Sequence, residues 1–443
     1  MKYISRKIFF LVLLGSFLLY GSSLFGQTAT ELPAGDESPA QDDHLVQNDH
    51  LVIKVAVIGP GDEVYFWWGH IGLIIENYQT NRARFYDWGI FSFENENFFY
   101  NFALGRLLYT CGVSSPDWNI QGYLNTNRDV TIYTLNLPPD AKEEILQYAE
   151  WTILPENKDY FYHHFNDNCA TRIRDIIDMA TKGQFRARYE NTSGEFTLRQ
   201  EVRRHTWFNP FFDWFLSFLM GQVIDTPITV WDEMFLPSEI GLRIQEFNYT
   251  DSGREQKLVQ SMEIKNRSVN RPAVLDEPRL QWPRELVFSC VLAVLLGICL
   301  FLKSREKRAG AFAWALGQGV LGLFFGIAGS ILFFMTFFTD HDYTYRNINV
   351  LFVNPLLLAA VPMGILYCIS FSSGNRQKWE NIIKTLWSYV FVFGIISIVF
   401  NTLFLGQQNQ VDLALVLPFS AVLGWIPDGL LFVRREYLWR WLN

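Results

Sequence analysis

Two hydrophobic patterns divide the chain. Up to about residue 283 the apolar residues come in short runs broken by turn residues; beyond it they come in runs of twenty or more. Residues 51–58, LVIKVAVI, predict a strand that stops at Gly59, Pro60 and Gly61. Residues 69–76, GHIGLIIE, predict a second strand, apolar on both faces, and 83–91, ARFYDWGIF, a third, with NYQTNR between them as a hairpin loop. Residues 129–137, DVTIYTLNL, predict a fourth. Two stretches switch to helical period. In 140–154 Ile145, Leu146, Ala149 and Ile153 share one face, with Asp140 as the expected N-cap. In 167–180, DNCATRIRDIIDMA, Ile173, Ile176, Ile177 and Ala180 form the stripe, and Asp167 or Asn168 supplies the cap. Strands mixed with helices indicate an α+β domain over residues 51–283.

The long runs, 284–303, 312–338, 350–372, 383–405 and 411–433, are each long enough to cross a bilayer, which predicts an all-α membrane domain of five transmembrane helices over 284–433. Basic residues select the orientation. Lys303, Arg305, Lys307 and Arg308 follow the first run, Arg376, Lys378 and Lys384 lie between the third and fourth, and Arg434, Arg435 and Arg440 follow the fifth. The other two loops hold no lysine and one arginine. Residues 51–283 are therefore expected outside and the tail 434–443 in the cytoplasm. The N-terminus agrees: Lys2, Arg6 and Lys7 precede an apolar core and small residues, the pattern of a signal peptide over 1–26, with an uncleaved anchor as the alternative. Residues 27–50 are polar and acidic and read as a disordered tether.

The net charge of −8 over 443 residues supplies no basic stripe, which argues against nucleic acid as a partner. Residues 205–220, HTWFNPFFDWFLSFLM, are too short to span and suit either the membrane interface or a core helix of the exported domain. The loop after the second span, with Asp340, His341, Asp342 and Arg346, is either an ordinary solvated loop or a functional one.

Of five cysteines only Cys111 and Cys169 lie in the exported domain. A disulfide between them is the bland reading in an oxidising compartment. The sharper one is a nucleophile. Cys169 follows its helix cap directly, where unsatisfied N–H groups and the helix dipole favour a thiolate and an oxyanion. A thiol nucleophile needs a base. His70 stands on a strand between Gly69 and Gly72, which permit close approach, and Trp67 and Trp68 are placed to shield it. The alternative is a structural strand histidine. Asp87 is the candidate to orient the imidazole. A hairpin centred between residues 79 and 80 puts Asp87 on the His70 face; one centred on Thr80 puts Tyr86 and Trp88 there. Arg172, Arg199 and His341 are candidate substrate-binding groups. No His/Cys/Asp cluster has zinc-ligand spacing, so no metal or other cofactor is expected.

Histidine on a strand, a second strand, then cysteine at a helix start in an "NC" motif resembles the permuted papain-like order of LRAT- and NlpC-type thiol enzymes. The segments WGHIGLII, FYDWGIFSFENENFFYNFALGRLLY, DYFYHHFNDNCATRIRDII and GEFTLRQ, with DHDYTYRNINVLFVNPL in the membrane part, resemble Lnb-type lipoprotein N-acyltransferases more closely. "WWGH" departs from the Phe expected before Gly-His. The resemblance implies a multi-pass enzyme of the bacterial inner membrane, with a periplasmic papain-like catalytic domain. Its partners would be diacylglyceryl lipoproteins and membrane lipid. Cys169 would take an acyl chain as a thioester, with His70 as base, and pass it to the lipoprotein's N-terminal amine. A cell-envelope thiol peptidase or amidase is the alternative enzyme, and a sensor or transport module the non-catalytic one.

Overall fold

The computed structural model describes residues 49–91, 97–370 and 374–425. The expected signal peptide, all but the last two residues of the tether, and the C-terminal tail lie outside the described residues. Those last two residues are held: Lys142 Nζ donates to both oxygens of Asp49 at 2.7 Å.

The exported part is built on a seven-stranded antiparallel sheet. Its strands are β1 (Leu51–Ile58), β2 (His70–Asn77), β3 (Arg82–Ile90), β4 (Leu108–Ser114), β5 (Val130–Leu135), β6 (Asp159–Phe161) and a late strand, Val259–Asn266. In space the late strand lies on one edge, followed by β5, β1, β2, β3, β4 and β6. The four strands expected from hydrophobic pattern are β1, β2, β3 and β5. The pattern missed β4, β6 and the late strand. Edge and near-edge strands need no continuous apolar face, and Leu108, Val113, Phe161, Met262 and Ile264 are all exposed.

Strand alternation sends side chains to two faces. One carries Ile53, Val55, Ile71, Leu73, Tyr86, Trp88 and Tyr133 against helices Pro139–Thr152, Cys169–Ala180 and Pro237–Glu246. The other carries Ala56, Ile58, Ile74, Phe85 and Ile132 under helix Pro116–Asn125, through Ile120 and Tyr123. Helix Pro139–Thr152 starts two residues before the site expected from Asp140 as cap. Pro138 stands at the cap and Asp140 lies in the first turn rather than capping it, because proline's fixed φ already suits that turn.

Among the described residues, four helical segments are long and apolar enough to cross a membrane: Trp282–Ser304, Arg308–Phe338, Ile348–Ile369 and Arg376–Leu405. The fifth expected run is represented by the shorter apolar helix Gln410–Gly424; residues 426–433 lie outside the described residues. The third segment is not one helix. It runs through tight turns at Ile348–Leu351 and Pro355–Ala359 before Ala360–Ile369. Gly322, Gly326 and Gly329 on the second helix accommodate it, since a Cβ at any of them would come within 2.5–2.7 Å of its backbone or closer to a side chain.

The segment 205–220 is neither a free interfacial helix nor a core helix of the sheet domain. Helix Pro210–Leu219 puts Trp214, Phe218 and Leu219 into the apolar cluster of the membrane-crossing helices. Polar bonds fix it there. Trp214 Nε1 donates to Asp412 Oδ1 at 3.1 Å, and Asn347 Nδ2 donates to the Phe218 carbonyl at 2.8 Å. Trp67 packs edge-on against Phe208 and Phe212 at 4.8 and 5.5 Å, which ties the turn before β2 to the same element.

Candidate functional site

Cys169 is the first residue of helix Cys169–Ala180 and is 9% exposed. Asn168, not Asp167, is the cap. Its Oδ1 accepts from the N–H groups of Ala170 and Thr171 at 2.8 and 2.9 Å, and Thr171 Oγ1 accepts from the Asn168 N–H at 2.8 Å, closing a capping box. Its Nδ2 donates to the carbonyls of His164 and Phe235 at 2.8 and 3.0 Å. The cap is thus bolted to the turn before the helix and to a distant loop. Two of the first-turn N–H groups expected to meet an oxyanion are taken up by Asn168. The N–H of Cys169 itself is the one the cap leaves.

The hairpin register places the other two groups. Leu73 lies opposite Tyr86 and Asn77 opposite Arg82, so the turn centres between Gln79 and Thr80. Asn77 sets this locally: its Oδ1 accepts from the N–H groups of Gln79 and Thr80, both at 3.0 Å, and Asn81 takes a left-handed φ of 51°. That register gives Asp87 the same face as His70, and the imidazole Nε2 donates to Asp87 Oδ1 at 2.8 Å. Both lie on the Pro116–Asn125 side of the sheet, where the His70 ring stands 6.2 Å from Tyr123.

Helix Cys169–Ala180 packs on the opposite face, yet its start reaches His70 where the strands end. Gly89 marks the place. It is the bulged residue between Trp88 and Ile90, with φ 111°. A Cβ there would lie 3.8 Å from Cys169 Cβ and 4.0 Å from His70 Cε1, so Gly89 floors the gap in which the two meet. The positive φ calls for glycine, and any side chain longer than Cβ would enter the gap. With Nε2 on Asp87, Nδ1 is the imidazole nitrogen left for the thiol.

Burial opposes a charge on His70, but Asp87 and Cys169, through charge and hydrogen bonding, outweigh it and raise its pKa to about 10. The gap therefore favours the imidazolium form of His70. Cys111, across from Trp88 on β4, is the reverse case: burial, then the Asp87 charge, pushes its thiol up to about 12. Cys111 and Cys169 are both free.

Gly69 permits a close backbone approach as expected, since a Cβ there would lie 2.7 Å from the Ile58 carbonyl oxygen, but Gly72 and the two tryptophans serve other ends. A Cβ at Gly72 would come within 2.2 Å of the Phe85 ring, so Gly72 makes room for a core side chain, not a substrate. Trp67 and Trp68 pack toward Phe208 and Phe165, leaving Tyr123 as the ring beside His70.

The three candidate binding residues are separated. Arg172 stays near Cys169, in a two-pronged pair with Asp167 at 2.5 and 2.7 Å and 4.5 Å above the Tyr160 ring. Arg199 is 1% exposed and fully engaged within the protein, by Asp225 at 2.7 and 2.9 Å and by the carbonyls of Ser217, Met220 and Gly221. Buried and held in this way, Arg199 is a structural contact. His341 is buried between the Phe102 carbonyl, which accepts from Nε2 at 3.0 Å, and the Tyr343 hydroxyl, 2.8 Å from Nδ1. It too is a structural contact rather than a binding group.

Sequence reading also missed what surrounds the cysteine turn. His163 Nδ1 accepts from the N–H groups of Phe165 and Asn166, and its Nε2 donates to Asp342 Oδ1 at 2.9 Å. The outer loop of the membrane region thus touches the turn that leads to Cys169. Tyr109 and Tyr162 stack at 4.3 Å; burial and then the Cys169 charge raise both hydroxyls. No sequence signal joins residues 109, 162 and 342.

Comparison with known proteins agrees with this architecture. No curated protein and no solved structure matches the chain. Residues 38–204, which hold His70, Asp87 and Cys169, match the Lnb N-terminal periplasmic domain, and residues 281–423 match the Lnb transmembrane domain. The two matches follow each other in order over more than half of the chain, which is a multi-pass membrane protein of the Lnb family.

Proposed function

We propose that this protein is a thiol-dependent acyltransferase that acts on bacterial lipoproteins. The observation that carries the reading is the convergence of Cys169, at a capped helix start, with a His70 that is hydrogen-bonded to Asp87. The order histidine strand, second strand, cysteine helix is that of a permuted papain-like domain. In the first half-reaction the Cys169 sulfur attacks the carbonyl carbon of an acyl ester on the diacylglyceryl group. A C–S bond forms, the acyl C–O bond breaks, and His70 gives the glyceryl oxygen its proton. The Cys169 N–H faces the oxyanion. In the second half-reaction the lipoprotein's α-amine attacks the thioester. A C–N bond forms, the C–S bond breaks, and His70 takes the amine proton. The products are an N-acylated lyso-lipoprotein and the enzyme in its starting state.

Anchoring supports the substrate class. A lipoprotein is held in the membrane by its own acyl chains, and a site fixed above membrane-crossing helices meets it without a diffusion step. The basic loops support a periplasmic sheet domain and a cytoplasmic C-terminus. Mass spectrometry of a co-expressed lipoprotein's N-terminus tests the proposal. The N-acyl lyso form is expected with the wild type, and the diacyl form with Cys169→Ser or His70→Ala. A diacyl form unchanged by the wild type would overturn it, and release of peptide from muropeptides without acyl movement would favour an amidase.

A further inference from the structure

A row of stacked aromatic rings runs from the Cys169 gap toward the outer end of the membrane-crossing helices. Phe91 lies two residues beyond Gly89, the floor of the gap. Its ring stacks on Tyr109 at 5.0 Å, and Tyr109 stacks on Tyr162. In the other direction Phe91 stacks on Phe98 at 5.9 Å, and Phe98 on Phe102 at 6.0 Å. Phe98 and Phe102 belong to a short helix, Phe98–Ala103.

The end of that helix is fixed to the membrane region. Phe102 accepts from His341, the Asp340 N–H donates to the Leu104 carbonyl at 2.8 Å, and Arg106 pairs with Asp340 at 2.9 Å. A Cβ at Gly105 would lie 2.7 Å from the His341 nitrogen, so the two backbones touch. Asp340 is two residues past Phe338, the outer end of helix Arg308–Phe338, where Phe337 and Phe338 are exposed on the face lipid would cover. The short helix therefore stands at the height of the outer membrane surface. Its Phe99, Tyr100 and Phe102 are 43–57% exposed. So many exposed aromatics in one turn and a half suit the bilayer interface and not water.

We propose that helix Phe98–Ala103 rests in the outer-leaflet boundary, and that the row Phe98, Phe91, Tyr109 and Tyr162 guides a lipid acyl chain to Cys169. The second half rests on the acyl-transfer reading; the first does not. The full-length protein in phosphatidylethanolamine–phosphatidylglycerol vesicles, with a photo-crosslinking residue at Tyr100, tests the first half. The control position is Tyr78, at the far end of the hairpin and about 25 Å along β2 from His70. Lipid adducts are expected at position 100 and not at 78. Equal yields at both, or a protein adduct alone at 100, would overturn it. For the second half, Tyr109→Ala and the milder Tyr109→Leu are compared on lipopeptides with hexadecanoyl and butanoyl esters. The expected result is a kcat/KM that falls about tenfold more for the long chain than for the short one. An equal fall on both would mean a structural role and overturn the guide. If the wild type transfers no chain of either length, the acyl-transfer reading fails while the crosslink at Tyr100 still decides where the helix sits.

Discussion

His70 holds its proton because Asp87 and Cys169 face it in one small gap and together outweigh its burial. Its folded-state pKa of about 10 lies above the 6.5 of a free imidazole, so the stabilisation is complete below about pH 6.5 and is lost as pH rises through about 10. Asp87→Asn removes the larger of the two contributions that outweigh burial. NMR titration of His70 should then give a pKa well below about 10, and acyl transfer should slow by about a hundredfold. An unmoved titration would mean that Asp87 does not govern the imidazole. At this scale the sequence was uneven. Residue type and place in an element singled out Cys169, but they left His70 open to a structural role, and only its order relative to the cysteine favoured a base. Asp87 hung on one residue of hairpin register, which Asn77 settles through two hydrogen bonds. Arg199 and His341 read as binding groups only because their partners, Asp225 and the Phe102 carbonyl, are distant in sequence.

Two elements aim the site. The Asn168 cap fixes the first turn of the cysteine helix, and Gly89 keeps the gap open. Asn168→Ala should cost about 0.5–2 kcal/mol in thermal unfolding and slow alkylation of Cys169. Asn168→Asp keeps the acceptor but loses both donations from Nδ2, so it should recover only part of each. Gly89→Val should cost about 1–3 kcal/mol, because φ 111° strains an L-residue, and should also block transfer by filling the gap. Normal activity in Gly89→Val would remove Gly89 from the account. The helix and the central strands were visible as hydrophobic period. Strand β4, which lies beside Asp87, was not: with Gly112, Cys111 and an exposed Val113 it carries no alternating pattern, and only its neighbours make it a strand.

The whole molecule is held together by buried polar contacts at the junction of sheet domain and membrane helices. Arg199–Asp225 is the densest: both side chains are buried, and Asp225 Oδ2 also accepts from the Gln408 N–H at 3.1 Å. Removing one partner leaves a buried charge, so Asp225→Asn should destabilise the detergent-solubilised protein by about 3–5 kcal/mol and open residues 205–225 to proteolysis. Unchanged melting would show that the apolar cluster alone holds the domains. Multi-pass topology was legible from hydropathy. The docking of helix Pro210–Leu219 was not, because its aromatic pattern fits an interface, a core or a membrane bundle equally well until Asp412 and Asn347 are seen to bind it.

The central claim is that Cys169 carries the acyl chain. A diacyl lipopeptide with an acetylated α-amine supplies the chain but cannot accept it, so the acyl-enzyme should accumulate. Peptide mapping should then find one acyl group on the peptide containing Cys169, removed by neutral hydroxylamine and missing in Cys169→Ser. No adduct with a turnover-competent protein, or an adduct that persists in Cys169→Ser, would contradict the account.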